Sequence, residues 1–408
     1  MQQNIYIGVN HVVYKLAGQT GKVIWQHALD PKAQELMQGM HIHVLNGAVY
    51  VVLRQDIYAL DASTGKERWH THRTDGYLYE YDAVSDGRIY LYGLSGTFSA
   101  VSTQNGAQLW HNQTFQTGRG GEFYVVHGTL YVLSDQEDIY AFNAATGMER
   151  WHFIDTHRPS AYAAPVVENG IVYFSMGAGN RFFALNEKNG QKVWEQQILA
   201  DKYFDTFQIV NGIVYTSSRQ EGIERDKKQY IQDEKIYAFD AKKGTLLWTS
   251  PSGYTLLNGI SISAGLLIAQ GEQNGVVTLT AFHAKDGSVA WQQNRCSSGA
   301  CLGIMVYNVH GTGYFFEAEI SKTDLPNKII FFDWQSGKLL AQKSTHFDGS
   351  FGMSNGIVYQ YEINGKSPAN PVTDIIIYAI QLSDGSALWQ YDLKDSELVF
   401  SYEPVIAP

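Results

Sequence analysis

Cysteine is almost absent from this chain of 408 residues, which contains only Cys296 and Cys301. A small domain stabilised by several disulfides is therefore excluded. Proline is also scarce, with nine residues, and charged residues make up only 17% of the chain. The formal net charge is −10. A surface of this sign repels phosphate backbones, so we expect no nucleic-acid partner.

Long hydrophobic runs are missing as well. No window approaches the roughly 18 apolar residues of a membrane helix, and no amphipathic pattern of helical length stands out. The N-terminus lacks a basic stretch followed by an apolar one, and Ile5 to Val9 is typical of a strand. We therefore expect either a cytoplasmic protein or one whose signal or anchor segment lies outside this sequence.

A short segment recurs nine times, about every 44 residues, and this repeat dominates the sequence. The copies are residues 14–25, 58–69, 99–110, 140–151, 183–194, 237–248, 280–291, 330–341 and 378–389. Each has a glycine four residues before its last position. Ala341 ends one copy, and the other copies end on Trp25, Trp69, Trp110, Trp151, Trp194, Trp248, Trp291 and Trp389.

Each copy predicts a strand, a tight turn and a second strand. The glycine supplies the positive φ that the turn requires. A second hairpin signal precedes most copies, at Asn46-Gly47, Asp86-Gly87, His127-Gly128, Asn169-Gly170, Asn211-Gly212, His310-Gly311 and Asn355-Gly356. One unit therefore consists of four antiparallel strands, A to D, with the first turn between A and B and the repeat turn between C and D.

A four-stranded unit of this length, repeated, predicts an all-β fold, a closed β-propeller that forms one domain over residues 1–408. Nine copies predict nine blades; the alternative is eight, without the eighth copy, which lacks the tryptophan. The N-terminus supplies strands B, C and D only, and the segment from Phe400 to Ile406 is similar to an A strand. We therefore predict a mixed closing blade. The tryptophans are predicted to pack between blades, and Gly65 and Gly147 are structural positions of the same repeat.

The repeat resembles that of the pyrroloquinoline-quinone (PQQ) type propellers, and Asp61, Thr64, Gly65 and Trp69 match its pattern best. That family includes the quinoprotein alcohol dehydrogenases and the outer-membrane-assembly lipoprotein of Gram-negative bacteria. The dehydrogenases share an adjacent cysteine pair over the cofactor, and a calcium site of Glu and Asn with an Asp base. Neither pattern occurs here, so the resemblance implies the non-catalytic, assembly-lipoprotein side of the family, without PQQ or calcium.

The meander brings the B–C and D–A loops to one face and the tight A–B and C–D turns to the other. Three expanded B–C loops lie on the first face: Gln220–Lys235, Ser321–Lys328 and Asn364–Asp374. They are either solvated loops or a rim on which a partner docks. Because the length variation lies on this face, we expect function there.

The residues just before each A strand are predicted to surround the mouth of an axial channel. Acidic and aromatic side chains alternate there, which suits a small polar or cationic ligand or a peptide. They could equally cap a water-filled channel. The candidate ligand-binding residues are His41, Glu80, Tyr81, Glu122, Tyr162, Phe204 and Asp205. We predict no metal site. We assign a structural or surface role to the histidines that follow the tryptophans, His70, His111, His152 and, after one residue, His27.

No motif of nucleophilic, zinc-dependent or nucleotide-dependent catalysis occurs. The sequence favours a non-enzymatic scaffold or sensor, monomeric and in the cell envelope of a bacterium, that binds a protein or a small ligand on this face. One alternative is a PQQ-dependent dehydrogenase-like oxidoreductase, and a second is a glycan-binding or glycan-active propeller. Cys296 and Cys301 lie on one D–A loop, which allows a disulfide and equally allows two free thiols.

Overall fold

The computed structural model describes residues 3–9, 11–30, 40–53, 55–73, 78–93, 97–112, 123–133, 138–154, 165–176, 180–198, 202–220, 234–251, 255–256, 259–273, 276–297, 301–303, 306–309, 311–319, 327–345, 349–364, 373–381, 386–396 and 405–407. These residues form strands, turns and irregular segments. They include no helix of the length and hydropathy that would cross a membrane.

The strands are numbered in chain order, and each sheet is called a blade. Blade 1 consists of β1 (Asn4–Val9), β2 (Val12–Ala17), β3 (Val23–Ala28) and β38 (Val405–Ala407). Blade 2 consists of β4 (His41–Leu45), β5 (Ala48–Val52), β6 (Asp56–Asp61) and β7 (Glu67–His72). Blade 3 consists of β8 (Leu78–Ser85), β9 (Arg88–Gly93), β10 (Thr97–Ser102) and β11 (Gln108–Asn112).

The next three blades follow the same plan. Blade 4 consists of β12 (Phe123–Val126), β13 (Thr129–Leu133), β14 (Ile139–Asn143) and β15 (Glu149–Phe153). Blade 5 consists of β16 (Val166–Glu168), β17 (Ile171–Met176), β18 (Arg181–Asn186) and β19 (Lys192–Gln197). Blade 6 consists of β20 (Lys202–Val210), β21 (Ile213–Gln220), β22 (Ile236–Asp240) and β23 (Leu246–Thr249).

In blades 7 and 8 the A strand is broken into two short pieces that pair with the same B strand. Blade 7 consists of β24 (Thr255–Leu256), β25 (Ser261–Ser263), β26 (Leu266–Gln273), β27 (Val276–His283) and β28 (Val289–Ser297). Blade 8 consists of β29 (Cys301–Gly303), β30 (Tyr307–Val309), β31 (Thr312–Glu319), β32 (Asn327–Asp333) and β33 (Leu339–Thr345). Blade 9 consists of β34 (Gly349–Ser354), β35 (Ile357–Asn364), β36 (Thr373–Gln381) and β37 (Ala387–Ser396).

The prediction of an all-β propeller with nine blades is confirmed, because the described residues form nine sheets in which strand order follows the chain. The mixed closing blade is also confirmed. Strand β38 pairs antiparallel with β1, and Asn4 lies opposite Ala407. Blade 8 keeps the plan of the others although its repeat lacks the terminal tryptophan, so the eight-blade alternative is wrong.

In the A–B turns, two successive residues have a left-handed backbone conformation. This conformation fits the right-handed twist of the two strands that the turn joins. Asn46 and Gly47, for example, have φ angles of 50° and 71°. The sequence signal missed the turn of blade 7. There Ala264 takes the first position with a φ of 48° and is followed by Gly265.

The chain divides into two compact units. Unit 1 is Met1–Leu130, Phe142–Glu149 and His346–Pro408, and unit 2 is Tyr131–Ala141 and Arg150–Thr345. Within unit 1, Tyr6, Trp25 and Val49 belong to one buried apolar cluster. Within unit 2, the rings of Phe182 and Trp194 pack together in another.

Candidate functional site

The repeat tryptophans contact the following blade in the same way each time. In the first contact, the indole of Trp25 lies on Gly65, where an added Cβ would come within 2.7 Å of ring atoms. Its Nε1–H donates to the carbonyl oxygen of Ala62 at 3.1 Å. The same bond joins Trp69 to Thr103, Trp110 to Ala144, Trp151 to Glu187, Trp194 to Ala241, Trp248 to Ala284, Trp291 to Trp334 and Trp389 to Gly18. The tryptophans are thus engaged in contacts between blades.

Blade 8 carries a tryptophan of another kind, on the side that faces blade 7. Trp334, in its C–D turn, is fully buried. Its Nε1–H donates backwards to the carbonyl oxygen of Ser263 in blade 7 at 2.9 Å. Its own carbonyl accepts the bond from Trp291 at 3.2 Å. Blades 7 and 8 are therefore joined by two indole hydrogen bonds.

Lys15 adds a second hydrogen bond to the contact between Trp25 and blade 2. It stands where blade 2 has Ala59, and its Nζ donates to the carbonyl oxygen of Ala62 at 2.7 Å, beside the bond from Trp25. The ammonium lies 5.3 Å from the centre of the Tyr6 ring. Burial lowers the pKa of Lys15, and the charge of Asp61 opposes that shift. This lysine is a buried part of the blade contact.

The polar residues of the C–D turns close their own turns. In blade 2, Asp61 Oδ1 accepts the backbone N–H groups of Ser63 at 3.0 Å and Thr64 at 2.9 Å. Its Oδ2 accepts a bond from Arg68 at 2.7 Å. The hydrogen bond from Arg68, followed by those from Ser63 and Thr64, holds the pKa of Asp61 well below its usual range. These polar groups of blade 2 therefore form hydrogen bonds within their own C–D hairpin.

A polar cluster of another kind lies on the A strands of blades 2 and 3. His41 and His43 alternate along β4 and both reach Asp82 on β8. Nε2 of His43 is 2.8 Å from Asp82 Oδ2, and Nδ1 of His41 bonds the other oxygen, Oδ1. The Asp82 side chain is only 3% exposed. We call these three residues the inner cluster.

The inner cluster holds an ionised carboxylate. Burial raises the pKa of Asp82, but hydrogen bonds and charge from His41 and His43 outweigh burial and keep that pKa below its ordinary value. An ionised carboxylate only accepts hydrogen bonds, so each imidazole donates a ring N–H to it. The cluster is therefore a direct polar link between two blades.

A second cluster of the same composition, the outer cluster, lies on strands C and D of blade 2. Asp56 Oδ1 is 2.8 Å from Nε2 of His70 and 3.0 Å from Nδ1 of His72. The His70 ring also stacks on Tyr58, with centres 4.1 Å apart. Burial, helped by the charge of Asp56, raises the pKa of Tyr58 to about 12. His70 is thus held by its neighbours, as its position in the repeat suggested.

The predicted ligand-binding residues have different surroundings. His41 belongs to the inner cluster. Phe204 has no exposed surface and packs edge-on against Phe182 and Phe239, so we remove it from the candidate set. Glu80 and Tyr81 lie on β8, and Asp205 lies on β20. Their side chains are not among those that the structure describes. Glu122 and Tyr162 lie outside the described residues.

Sequence reasoning missed His43 and Asp82. The His-x-His spacing on a strand was the available signal, because alternate residues face the same side. Asp82 directly follows the predicted candidate Tyr81. Nothing in the sequence shows that it pairs with a residue 41 positions away.

A disulfide and an ion pair lie close together where blade 7 ends. Cys296 on β28 is disulfide-bonded, and Cys301 is the other cysteine of the sequence. Next to Cys296, the Arg295 guanidinium is 3.1 Å from Glu317 Oε2 and lies over the Phe315 ring, 5.2 Å from its centre. Arg295 thus links strand D of blade 7 to strand B of blade 8.

The residues do not fit the quinone and calcium of the dehydrogenases. The two cysteines are separated by four residues, Ser297 to Ala300, and so are not the adjacent pair. Within the part of the chain that the structure describes, no group of three or more His, Cys, Asp or Glu residues is arranged to hold a metal ion. We therefore assign no step to either group.

Comparison with known proteins places these contacts in a family. A family model described as outer membrane protein assembly factor BamB matches residues 9–118, 95–204 and 210–355. BamB of Yersinia pestis is 26% identical over 317 residues, which is 71% of this chain and 73% of that protein. Tetrathionate hydrolase of Acidithiobacillus ferrooxidans is 24% identical over 355 residues, 77% of this chain and 68% of that one.

A solved structure gives the same fold. The crystal structure of BamB from Moraxella catarrhalis superposes with a TM-score of 0.53 at 15% identity, over 82% of this chain and 92% of that chain. At this identity the likeness shows the fold alone. The family model, by contrast, covers most of the sequence, and its matched segments carry the repeat itself. This protein therefore belongs to the PQQ-type repeat family described as outer membrane protein assembly factor BamB.

Proposed function

We propose that this protein is a non-enzymatic scaffold that binds a protein partner through the face formed by its B–C and D–A loops. One observation carries the proposal. All eight repeat tryptophans donate to a carbonyl of the following blade. The tryptophans that define the repeat therefore stabilise the contacts between blades. The variation between blades then lies in the loops, where binding residues are most often found.

The similar proteins support a cellular role and a cellular compartment for this scaffold. Those from Yersinia pestis and Burkholderia pseudomallei are named outer membrane protein assembly factors. By that likeness the protein acts in the bacterial cell envelope, where its partner takes part in outer membrane protein assembly. A disulfide at Cys296 suits an oxidising compartment of this kind.

The test compares two variants of blade 6 in the bacterium that encodes the protein. In the first, residues 221–233, between β21 and β22, are replaced by a short Gly-Ser linker. In the matched control, Lys242 and Lys243 on the opposite face become serine; both are exposed. The abundance of folded outer membrane proteins is measured in a deletion strain that carries each variant.

We expect the turn variant to restore normal abundance and the loop variant to fall short of it. Thermal unfolding of both purified proteins checks that neither change disturbs the fold. Full restoration by the loop variant would contradict the role of this loop. A deletion strain with normal outer membrane proteins would contradict the assembly role altogether.

The match to tetrathionate hydrolase supports a second candidate, a hydrolase of sulfur oxoanions on the same scaffold. Incubation of the purified chain with tetrathionate, followed by chromatography of the sulfur products, tests it. Dye reduction with added PQQ and calcium tests the dehydrogenase alternative in parallel. Turnover in either assay would overturn the non-enzymatic proposal.

A further inference from the structure

The inner cluster links two strands that share no backbone hydrogen bonds. Strand β4 pairs with β5, whereas β8 pairs with β9. The bonds from His41 and His43 to Asp82 therefore hold two blades together without support from a sheet ladder. Whatever changes the charge of these three side chains changes the contact directly.

The carboxylate of Asp82 needs a positive charge beside it. A buried, ionised carboxylate is costly unless a charge of opposite sign compensates it. Among the described side chains, the groups that act on the charge of Asp82 are His41 and His43. With both imidazoles neutral the cluster carries a net negative charge, and with one protonated it is neutral. Hydrogen bonds from an imidazolium are also about twice as strong as those from a neutral ring.

We propose that the inner cluster is a proton-dependent clasp between the A strands of blades 2 and 3, closed when one imidazole is protonated and weakened when both are neutral. Histidine is the side chain whose charge changes near neutral pH, so the clasp responds to mild acid and mild alkali. This device is independent of the identity of any partner.

Among the described side chains on the elements around the cluster, no other ionisable group is seen to act on the charge of Asp82. Strand β8 also carries Tyr79, Glu80 and Tyr81, whose side chains are outside the description. The remaining ones are Tyr6 on β1, Tyr50 on β5, Arg88, Tyr90 and Tyr92 on β9 and Tyr124 on β12. Burial raises the pKa of Tyr6 and of Tyr90, so both stay neutral through this range. Arg88 donates to the Asp86 carbonyl oxygen at 2.8 Å, in the A–B turn.

The outer cluster is a matched control within the same blade. It has two histidines and one aspartate, like the inner cluster. Its strands β6 and β7, however, are joined by a backbone ladder in which Asp56 lies opposite His72. The His72 side chain is also 55% exposed, whereas the Asp82 side chain of the inner cluster is 3% exposed. The hydrogen bonds of the outer cluster thus lie within blade 2 and do not join two blades.

The test is hydrogen–deuterium exchange of the full chain at about pH 6 and about pH 8.5, on either side of the histidine range, corrected for intrinsic exchange rates. One proton changes an opening equilibrium by at most about tenfold per pH unit. In the wild type we expect the protection of β4 and β8 to be lower at the higher pH than at the lower pH, by up to about tenfold for each pH unit. Asp82→Asn should abolish the pH dependence, and Asp56→Asn should leave it unchanged.

Two results would overturn the clasp: equal protection of β4 and β8 at both pH values in the wild type, or a pH dependence that survives in Asp82→Asn. Loss of the pH dependence in Asp56→Asn as well would also contradict it, because the effect would then not belong to the inner cluster. If Asp82→Asn does not fold, NMR titration of the wild-type imidazoles decides. The resonances of His41 or His43 must change over the same pH range as the protection of β4 and β8, and a change in protection that coincides only with the resonances of His70 and His72 refutes the proposal.

Discussion

The indole of Trp25 lies flat against Gly65, a residue of the next blade whose φ is 71°. A Cβ at this glycine would come 2.7 Å from two ring atoms. The contact recurs around the described blades, so it offers a direct measure of what the repeat contributes to stability.

Gly65→Ala should therefore destabilise the protein. Alanine at positive φ costs about 1–2 kcal/mol, and displacement of the indole adds about 1–3 kcal/mol. Gly47→Ala is the control, because Gly47 has the same φ of 71° but no atom within 4 Å of the added Cβ. Urea unfolding of both variants separates the two costs. Equal losses would mean that the tryptophan yields freely to the methyl group.

Tyr215 and Trp248 should show coupled effects, because both donate to the carbonyl oxygen of Ala284, at 3.1 and 2.9 Å. Removal of one donor leaves the other in place, so each single change to Phe should lose about 1 kcal/mol from its hydrogen bond. Removal of both leaves a buried carbonyl without either donor and should cost more than the sum. A double-mutant cycle measures the difference. Strict additivity would show that the two bonds act independently.

Trp334→Ala should be among the most destabilising single changes, with a loss of about 3–5 kcal/mol from the cavity. The side chain is fully buried and bonds Ser263 of blade 7. Trp334→Phe keeps most of the volume and loses the hydrogen bond, so it should cost less. Thermal unfolding ranks the two variants. A mild effect of Trp334→Ala would show that the contact between blades 7 and 8 does not depend on this side chain.

Alkali should destabilise the protein through Tyr173. Burial, with the charges of Glu168 and Asp240, raises the pKa of Tyr173 to about 12. Because the folded value is above the ordinary 10.0, this contribution is complete below pH 10 and is lost as the pH rises toward 12. Tyr173→Phe should flatten the fall in unfolding free energy over that range. An unchanged slope in the variant would assign the alkaline loss to other groups.

The sequence was sufficient for the architecture because the repeat is local. A turn glycine defines each C–D hairpin, and a tryptophan follows it four residues later in all copies but the eighth. Similarity between the C-terminal segment and other A strands identified the closing blade. The turn at Ala264 was missed because alanine gives no signal for positive φ; the ladders on either side impose it. The broken A strands of blades 7 and 8 were missed for a similar reason, since pairing with one B strand sets their bounds.

The inner cluster could be predicted only in part. The sequence placed His41 on the loop-rich side, but the partner of His41 is Asp82, in another blade. Such a pair depends on how neighbouring blades stack, and no spacing within one repeat encodes it. The burial of Phe204 could not be predicted for the same reason, because one of the rings that cover it, Phe182, lies in the preceding blade.

The donor and the acceptor of each indole bond lie in consecutive repeats, and every repeat but the eighth carries a tryptophan that donates to the turn of its successor. A duplicated repeat that has both a donor and an acceptor would therefore bring a complete set of contacts with it, and deletion of such a repeat would leave one new junction in which donor and acceptor again meet. Gene duplication within such a chain meets little structural resistance, so blade number can change while the rules of assembly stay fixed.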